Sequence, residues 1–314
     1  MKILITDGLE PEAISTLRKL HDVDVQELDS QGLLGAIPGY HALIVRSRTT
    51  VSKSVLARAT NLKVVGRAGV GVDNIDVGVA TARKIVVVNA PTASTISVAE
   101  LAIGHMISLF RHLTEADRSV KDGKWEKKKL EGRELFGKTL GLVGSGRIGA
   151  EVAKRAEAFG MRVIAYDPYL SRPTAEALGI RLVDKDAVFR EADVVSVHAA
   201  LTPETKGMID AAELAQMKRG AILVNCARAE IVQEAALVDA LRSGRLAGAA
   251  ADVFETEPPV GSPLLTAPNA VFTPHLGAST HEAQARAGSI IADQVIKALD
   301  GRRPEFVVNP AVYG

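Results

Sequence analysis

One cysteine in 314 residues, Cys226, rules out an internal disulfide and with it the stapled scaffold of a small secreted domain. Aromatic residues make up only 4% of the chain, and neither sign of charge is in excess, since 38 Lys and Arg face 37 Asp and Glu. A formal net charge of +1 gives no long-range attraction to nucleic acid or to an anionic membrane, so any anionic ligand must be held by local groups. Long apolar runs are missing too. The most apolar long stretch, SVAELAIGHMISLF, is interrupted by Glu100 and His105 and falls short of the roughly 20 residues that a membrane-spanning helix needs. The opening MKILITDGLE is too weakly apolar for a signal peptide, and no segment is of low complexity. The expectation is a cytoplasmic globular protein with no nucleic-acid or membrane partner and no metal site.

What is present is ample core material, 47% hydrophobic residues, in a chain long enough for two domains. In the first part, β-rich KILITD, HALIVRS, LKVVGRAG and IVVVNA alternate with amphipathic EAISTLRKL, SKSVLARAT and VGVATARK, the rhythm of a parallel sheet with crossover helices. A second series begins at Lys138 with KTLGLVG, MRVIAYD, ADVVSVHA, AILVNCA, LAGAAADVF and NAVFTPH, which reads as six strands of a doubly wound sheet. Between the two series, Val98, Leu101, Ile103, Met106, Ile107, Phe110 and Leu113 fall at three- and four-residue spacings, predicting one long buried helix that runs into the charged arm VKDGKWEKKKLEGREL. The last segment reads as a helix and an extended tail returning to the first part.

The loop GLVGSGRIG sits between a strand and a helix. Gly144 suits a tight turn, Gly146 lets the backbone approach a pyrophosphate, and Gly149 allows close packing. The amides of the helix start then face the phosphates. The next strand ends in AYDP, where Asp167 is placed to accept from the adenosine ribose hydroxyls and to repel a 2′-phosphate, favouring NAD over NADP. A glycine turn with a capping aspartate, or an adenine-nucleotide module of the methyltransferase kind, are the competing readings. The fold expected is α/β with two doubly wound parallel-sheet domains: residues 93–282 form a Rossmann NAD-binding domain inserted into a flavodoxin-like substrate domain built from 1–92 and 283–314, with a cleft between.

Ligands of open α/β sheets lie beyond the carboxyl ends of the strands, which singles out Arg228, Asp252, Glu257 and His275. Removing a hydride from a 2-hydroxy acid needs a base for the hydroxyl proton, and His275 has the side chain suited to neutral pH. Glu257 is the expected partner of its far ring nitrogen. Arg228 matches a carboxylate with its planar guanidinium. Asp252 either supports these groups or meets the nicotinamide.

Taken in order, GLVGSGRIG, AYDP, NCAR, ADVFETEP and TPHLGAST, with RSRT, GRAGVGVDNID and SVAEL before them, resemble the D-isomer-specific 2-hydroxyacid dehydrogenases, most closely their phosphoglycerate dehydrogenase branch. The resemblance implies Arg228, Glu257 and His275 as catalytic residues, and NAD contacts from Gly144, Gly146, Arg147, Ile148, Gly149 and Asp167, with Cys226, Asp252, Gly277 and Ala278 at the nicotinamide end. It also implies that Val70 and Gly71 offer backbone N–H groups to the substrate carboxylate; Arg46 and Arg67, which follow predicted strands of the first part, are the cations expected for a phosphate tail. The activity implied is NAD-dependent oxidation of D-3-phosphoglycerate to 3-phosphohydroxypyruvate, the entry to serine synthesis. Reduction of glyoxylate, hydroxypyruvate or another short 2-oxo acid is the alternative, and an NAD-sensing corepressor is a more distant one. Ala229, Glu230, Gln233 and Ala200 depart from the family's usual residues and loosen the substrate assignment. Glu257, where the formate-using members carry glutamine, argues against formate. A homodimer is expected through the 94–120 helix and the 121–135 arm, where Trp125 is the only tryptophan. Serine feedback through an appended regulatory module is not expected.

Overall fold

The structure is a computed structural model that describes residues 1–314. The chain divides into two compact units, Met1–Thr95 with Ala278–Gly314, and Ile96–Gly277.

The first unit is a sheet of five parallel strands, β1 (Lys2–Ile5), β2 (Asp22–Val25), β3 (Ala42–Val45), β4 (Val64–Arg67) and β5 (Val86–Asn89), in the order β2-β1-β3-β4-β5. Strand β3, ALIV, is buried along its whole length, as expected of a parallel strand covered on both faces. Strand β2 has no counterpart in the sequence reading, because its DVDV carries two acids and occupies the sheet edge. Helix His281–Leu299 lies on β4, where a Cβ added to Gly66 would come within 2.8 Å of Val295 Cγ2 and 2.9 Å of Ile291 Cγ1. The missing side chain is what lets helix and strand approach. The tail then docks on β5, where Asn309 accepts from the Val87 N–H at 2.8 Å and donates to the Ile85 carbonyl at 2.9 Å.

The second unit has seven parallel strands, β6 (Thr139–Val143), β7 (Arg162–Tyr166), β8 (Ile180–Leu182), β9 (Val194–Val197), β10 (Ile222–Asn225), β11 (Gly248–Ala251) and β12 (Ala270–Phe272), ordered β12-β11-β10-β9-β6-β7-β8. The sequence reading has six; β8 is a three-residue edge strand, too short to show a pattern. One face of the sheet is covered by Val98, Ala102 and Met106 of helix Thr95–Arg111 and by Val152 and Ala156 of helix Arg147–Ala158. Strand order reverses between β6 and β9, the switch point at whose carboxyl ends the ligands of such sheets bind.

The long helix expected through Leu113 is broken. It ends at Arg111, His112 takes a left-handed φ of 53°, and a second helix runs over Leu113–Lys121. The returning chain causes the break: the Arg133 N–H donates to the Phe110 carbonyl at 2.8 Å, which removes that acceptor from the helix, and the Arg133 guanidinium lies 4.4 Å from the Phe110 ring centroid.

Candidate active site and cofactor loop

The glycine loop follows β6, with Gly144 at a φ of +87°. A Cβ there would fall 2.6 Å from the Ala199 nitrogen and 2.8 Å from its Cα, so the backbone leaving β9 occupies that space. A Cβ on Gly149 would lie 2.6 Å from the Gly144 carbonyl oxygen. Gly146 is different, because nothing lies within 4 Å of the Cβ it lacks. It is the N-cap of helix Arg147–Ala158 and supplies no side-chain bond to the first amides of that helix. Arg147 is exposed in the first turn, while Ile148 packs against the core.

Asp167, just beyond β7, accepts from the Ser145 N–H at 2.7 Å through Oδ2 and from the Tyr169 N–H at 2.9 Å through Oδ1. The carboxylate thus ties down the loop and keeps lone pairs for a further donor. Ser145 Oγ is buried without a hydrogen-bond partner, and so is Nδ1 of His198, whose Nε2 lies 2.8 Å from Ser196 Oγ. Burial pushes the His198 imidazole down to about 4, which keeps it neutral. An uncapped helix start, room at Gly146, a carboxylate with spare acceptor capacity and an orphan hydroxyl together fit a dinucleotide pyrophosphate and ribose.

Arg228, Glu257 and His275 leave the carboxyl ends of β10, β11 and β12, three adjacent strands. Asn225, the last residue of β10, shapes the first exit: it donates to the Arg228 carbonyl at 2.9 Å and accepts from the Ala227 N–H at 3.0 Å. The Arg228 side chain donates through Nη1 to the Ala227 carbonyl at 2.8 Å. The Cys226 thiol is buried beside this turn, and burial, then the Asp252 charge, push its proton affinity up, so it is a packed, unreactive thiol.

His275 Nδ1 lies 2.9 Å from Glu257 Oε2 and 3.1 Å from Oε1. A carboxylate accepts only, so Nδ1 carries the hydrogen and Nε2 is the ring atom left for a ligand proton. Glu257 Oε1 also accepts from the Phe254 N–H at 3.2 Å. The two side chains are 49% and 39% exposed, open enough for a ligand to reach them. Asp252 is only 1% exposed; it accepts from the Leu276 N–H at 2.7 Å and the Gly277 N–H at 2.8 Å, and so staples the turn that carries His275. Thr273 and Asn225 were not singled out from sequence. A polar residue ending or just following a strand is the signal for both.

In the first unit, Arg46 follows β3 and its N–H donates to Asp7 Oδ2 at 2.7 Å; its Nη1 is 4.0 Å from Glu10 Oε1. Asp7 also accepts from the Thr49 N–H at 3.0 Å and from the hydroxyl and guanidinium of Thr49 and Arg48, and these bonds hold its carboxyl below the usual carboxylate range despite burial. Arg67 ends β4, and its guanidinium lies over Gly69, where a Cβ would overlap Nη1. The Val70 carbonyl accepts from Asn89 Nδ2 at 2.6 Å, fixing the loop that continues through Gly71. Ala278 is half-buried, and its carbonyl accepts from Gln284 Nε2 at 2.6 Å.

Residues 103–277 match the family described as "D-isomer specific 2-hydroxyacid dehydrogenase, NAD binding domain". A D-3-phosphoglycerate dehydrogenase from Methanocaldococcus jannaschii is 50% identical over 311 residues, covering 98% of this chain and 59% of the relative; the chain thus spans little more than half the length of that protein. Among solved structures, the TT0316 protein from Thermus thermophilus superposes with a TM-score of 0.89 at 38% identity, covering 98% of this chain and 100% of that one. An NAD-dependent formate dehydrogenase from Staphylococcus aureus, solved in complex with NAD, gives a TM-score of 0.86 at 29% identity, covering 98% and 99%. No helix of this chain is long and apolar enough to cross a membrane.

Proposed function

The chain belongs to the D-isomer specific 2-hydroxyacid dehydrogenase family, and from that premise we propose that it oxidises D-3-phosphoglycerate to 3-phosphohydroxypyruvate with NAD. The observation that carries the chemistry is the Glu257–His275 pair at 2.9 Å. Bound NAD supplies the two-electron acceptor for the C2 hydride. His275 takes the C2 hydroxyl proton on Nε2, and Glu257 holds Nδ1–H and stabilises the imidazolium that results. Arg228 binds the carboxylate and polarises the C2 oxygen. Gly144, Gly146, Arg147, Gly149 and Asp167 hold the cofactor's phosphates and ribose, with Asp252, Gly277 and Ala278 toward the nicotinamide. Val70 and Gly71 take the substrate carboxylate, and Arg46 and Arg67 take the phosphate. The substrate preference is supported by the relative named above and by the two arginines that end or follow β4 and β3.

Steady-state kinetics with D-3-phosphoglycerate and D-glycerate test the substrate. The phosphorylated acid is expected to have the higher kcat/KM, and Arg67→Ala to raise its KM about tenfold to a hundredfold, the loss of a charge-assisted bidentate contact. Equal turnover of both acids together with a silent Arg67→Ala would exclude a phosphate site.

The same reading includes a homodimer. Trp125 is 83% exposed and Phe136 74%, with Leu113 and Val120 also open to solvent, an apolar set on an otherwise charged arm and its flanks. Trp125→Ala is expected to shift the sedimentation mass from dimer toward monomer, and a parent chain that sediments as a monomer at all concentrations would remove the dimer.

A further inference from the structure

His105, on helix Thr95–Arg111, is 3% exposed, and its Nε2 lies 3.1 Å from Thr273 Oγ1. The Thr273 hydroxyl lies 2.5 Å from Asp252 Oδ1. Because a carboxylate only accepts, the threonine proton is committed to Asp252, and the threonine oxygen is left to accept from His105. His105 therefore carries its hydrogen on Nε2. Neutrality agrees with its surroundings, where burial lowers its proton affinity and only the Asp252 charge opposes that. The histidine thus donates to the threonine and the threonine to the carboxylate, two hydrogen bonds running in one direction, and aligned bonds of this kind strengthen one another.

The line of bonds ends at the turn that matters most. Asp252 accepts from the N–H groups of Leu276 and Gly277, the two residues after His275. His275 itself has a φ of 54°, a left-handed conformation that costs a non-glycine residue about 1–3 kcal/mol and persists only when its surroundings hold it. Val98, Ala102 and Met106 of the same helix are packed in the apolar core, so a histidine on this helix needs a partner for its buried N–H.

We propose that His105 is a positioning residue for His275, acting through Thr273 and Asp252 to hold the left-handed turn that presents the imidazole to Glu257. Its kinetic consequence rests on the dehydrogenase reading above; its structural consequence does not.

The test compares His105→Leu, which removes the donor, with His105→Gln, which keeps an N–H, and Thr273→Val with Thr273→Ser. Amide hydrogen exchange at Leu276 and Gly277 and steady-state kinetics with NAD and D-3-phosphoglycerate are measured on each. Losing the donor or the hydroxyl is expected to speed exchange at these two amides about tenfold and to lower kcat about threefold to tenfold, as for one buried hydrogen bond. His105→Gln and Thr273→Ser are expected to restore both, and KM for NAD to change less than kcat. Should His105→Leu fail to fold, the Thr273 pair carries the same comparison. Unchanged exchange at Leu276 and Gly277 in the variants lacking the donor, or equal loss in the conservative ones, overturns the proposal. A parent that oxidises no 2-hydroxy acid refutes the functional reading, and the exchange measurement still decides the positioning role.

Discussion

His275→Asn is expected to lower kcat for 2-hydroxy acid oxidation roughly a hundredfold to ten-thousandfold, the usual contribution of a positioned general base. Asparagine keeps a polar side chain of smaller size but cannot take a proton at neutral pH. Its effect on NADH affinity is expected to be smaller than that on kcat, because the loop at Gly144–Gly149 and Asp167, proposed to hold the phosphates and adenosine ribose, lies at strands β6 and β7, away from β12. Glu257→Gln is expected to cost less than His275→Asn. An amide oxygen can still accept from Nδ1–H, as the carboxylate now does at 2.9 Å, but without the negative charge that steadies an imidazolium. Steady-state rates with a fluorescence titration of NADH separate the two quantities. If His275→Asn kept most of the parent's kcat, His275 would have no part in the proton transfer.

Gly144→Ala and Gly146→Ala are expected to fail in different ways. At Gly144 the new Cβ meets the Ala199 backbone at 2.6 Å, and the backbone φ is +87°. Left-handed strain and overpacking against main chain together cost about 2–5 kcal/mol, so the urea midpoint falls and NADH binding is lost with it. At Gly146 the Cβ meets no protein atom, so stability is expected to stay close to that of the parent. NADH affinity is expected to fall about tenfold or more at this position, where the backbone must approach a pyrophosphate. Unfolding curves and NADH titration on both variants check this. A Gly146→Ala chain that binds NADH as tightly as the parent would mean that the phosphates pass elsewhere.

The parallel alternation was legible because buried central strands are short continuous apolar runs such as ALIV and ILVN. The edges were not, since DVDV and IRL are too polar or too short to stand out. Nor was the break at His112, which depends on an Arg133 amide arriving from distant sequence. In the candidate site, Glu257 and His275 could be chosen as a pair because each follows a strand and their chemistry is complementary. The roles of Asp252, Thr273 and Asn225 are geometric: they hold turns through bonds to backbone or to one another, and no spacing in the sequence announces which amide a carboxylate will meet.

The order β12-β11-β10-β9-β6-β7-β8 places the proposed grip on the adenosine end of the coenzyme and the proposed proton chemistry on opposite wings of one sheet. Five strand spacings separate β7 from β12, about 24 Å at the usual interval between neighbours. Redesign around Asp167 is therefore expected to leave the wing of Arg228, Glu257 and His275 untouched, and changes on that wing to leave the Asp167 end alone. Such a layout makes the two ends of the sheet separable by mutation, since a substitution at one wing meets no residue of the other.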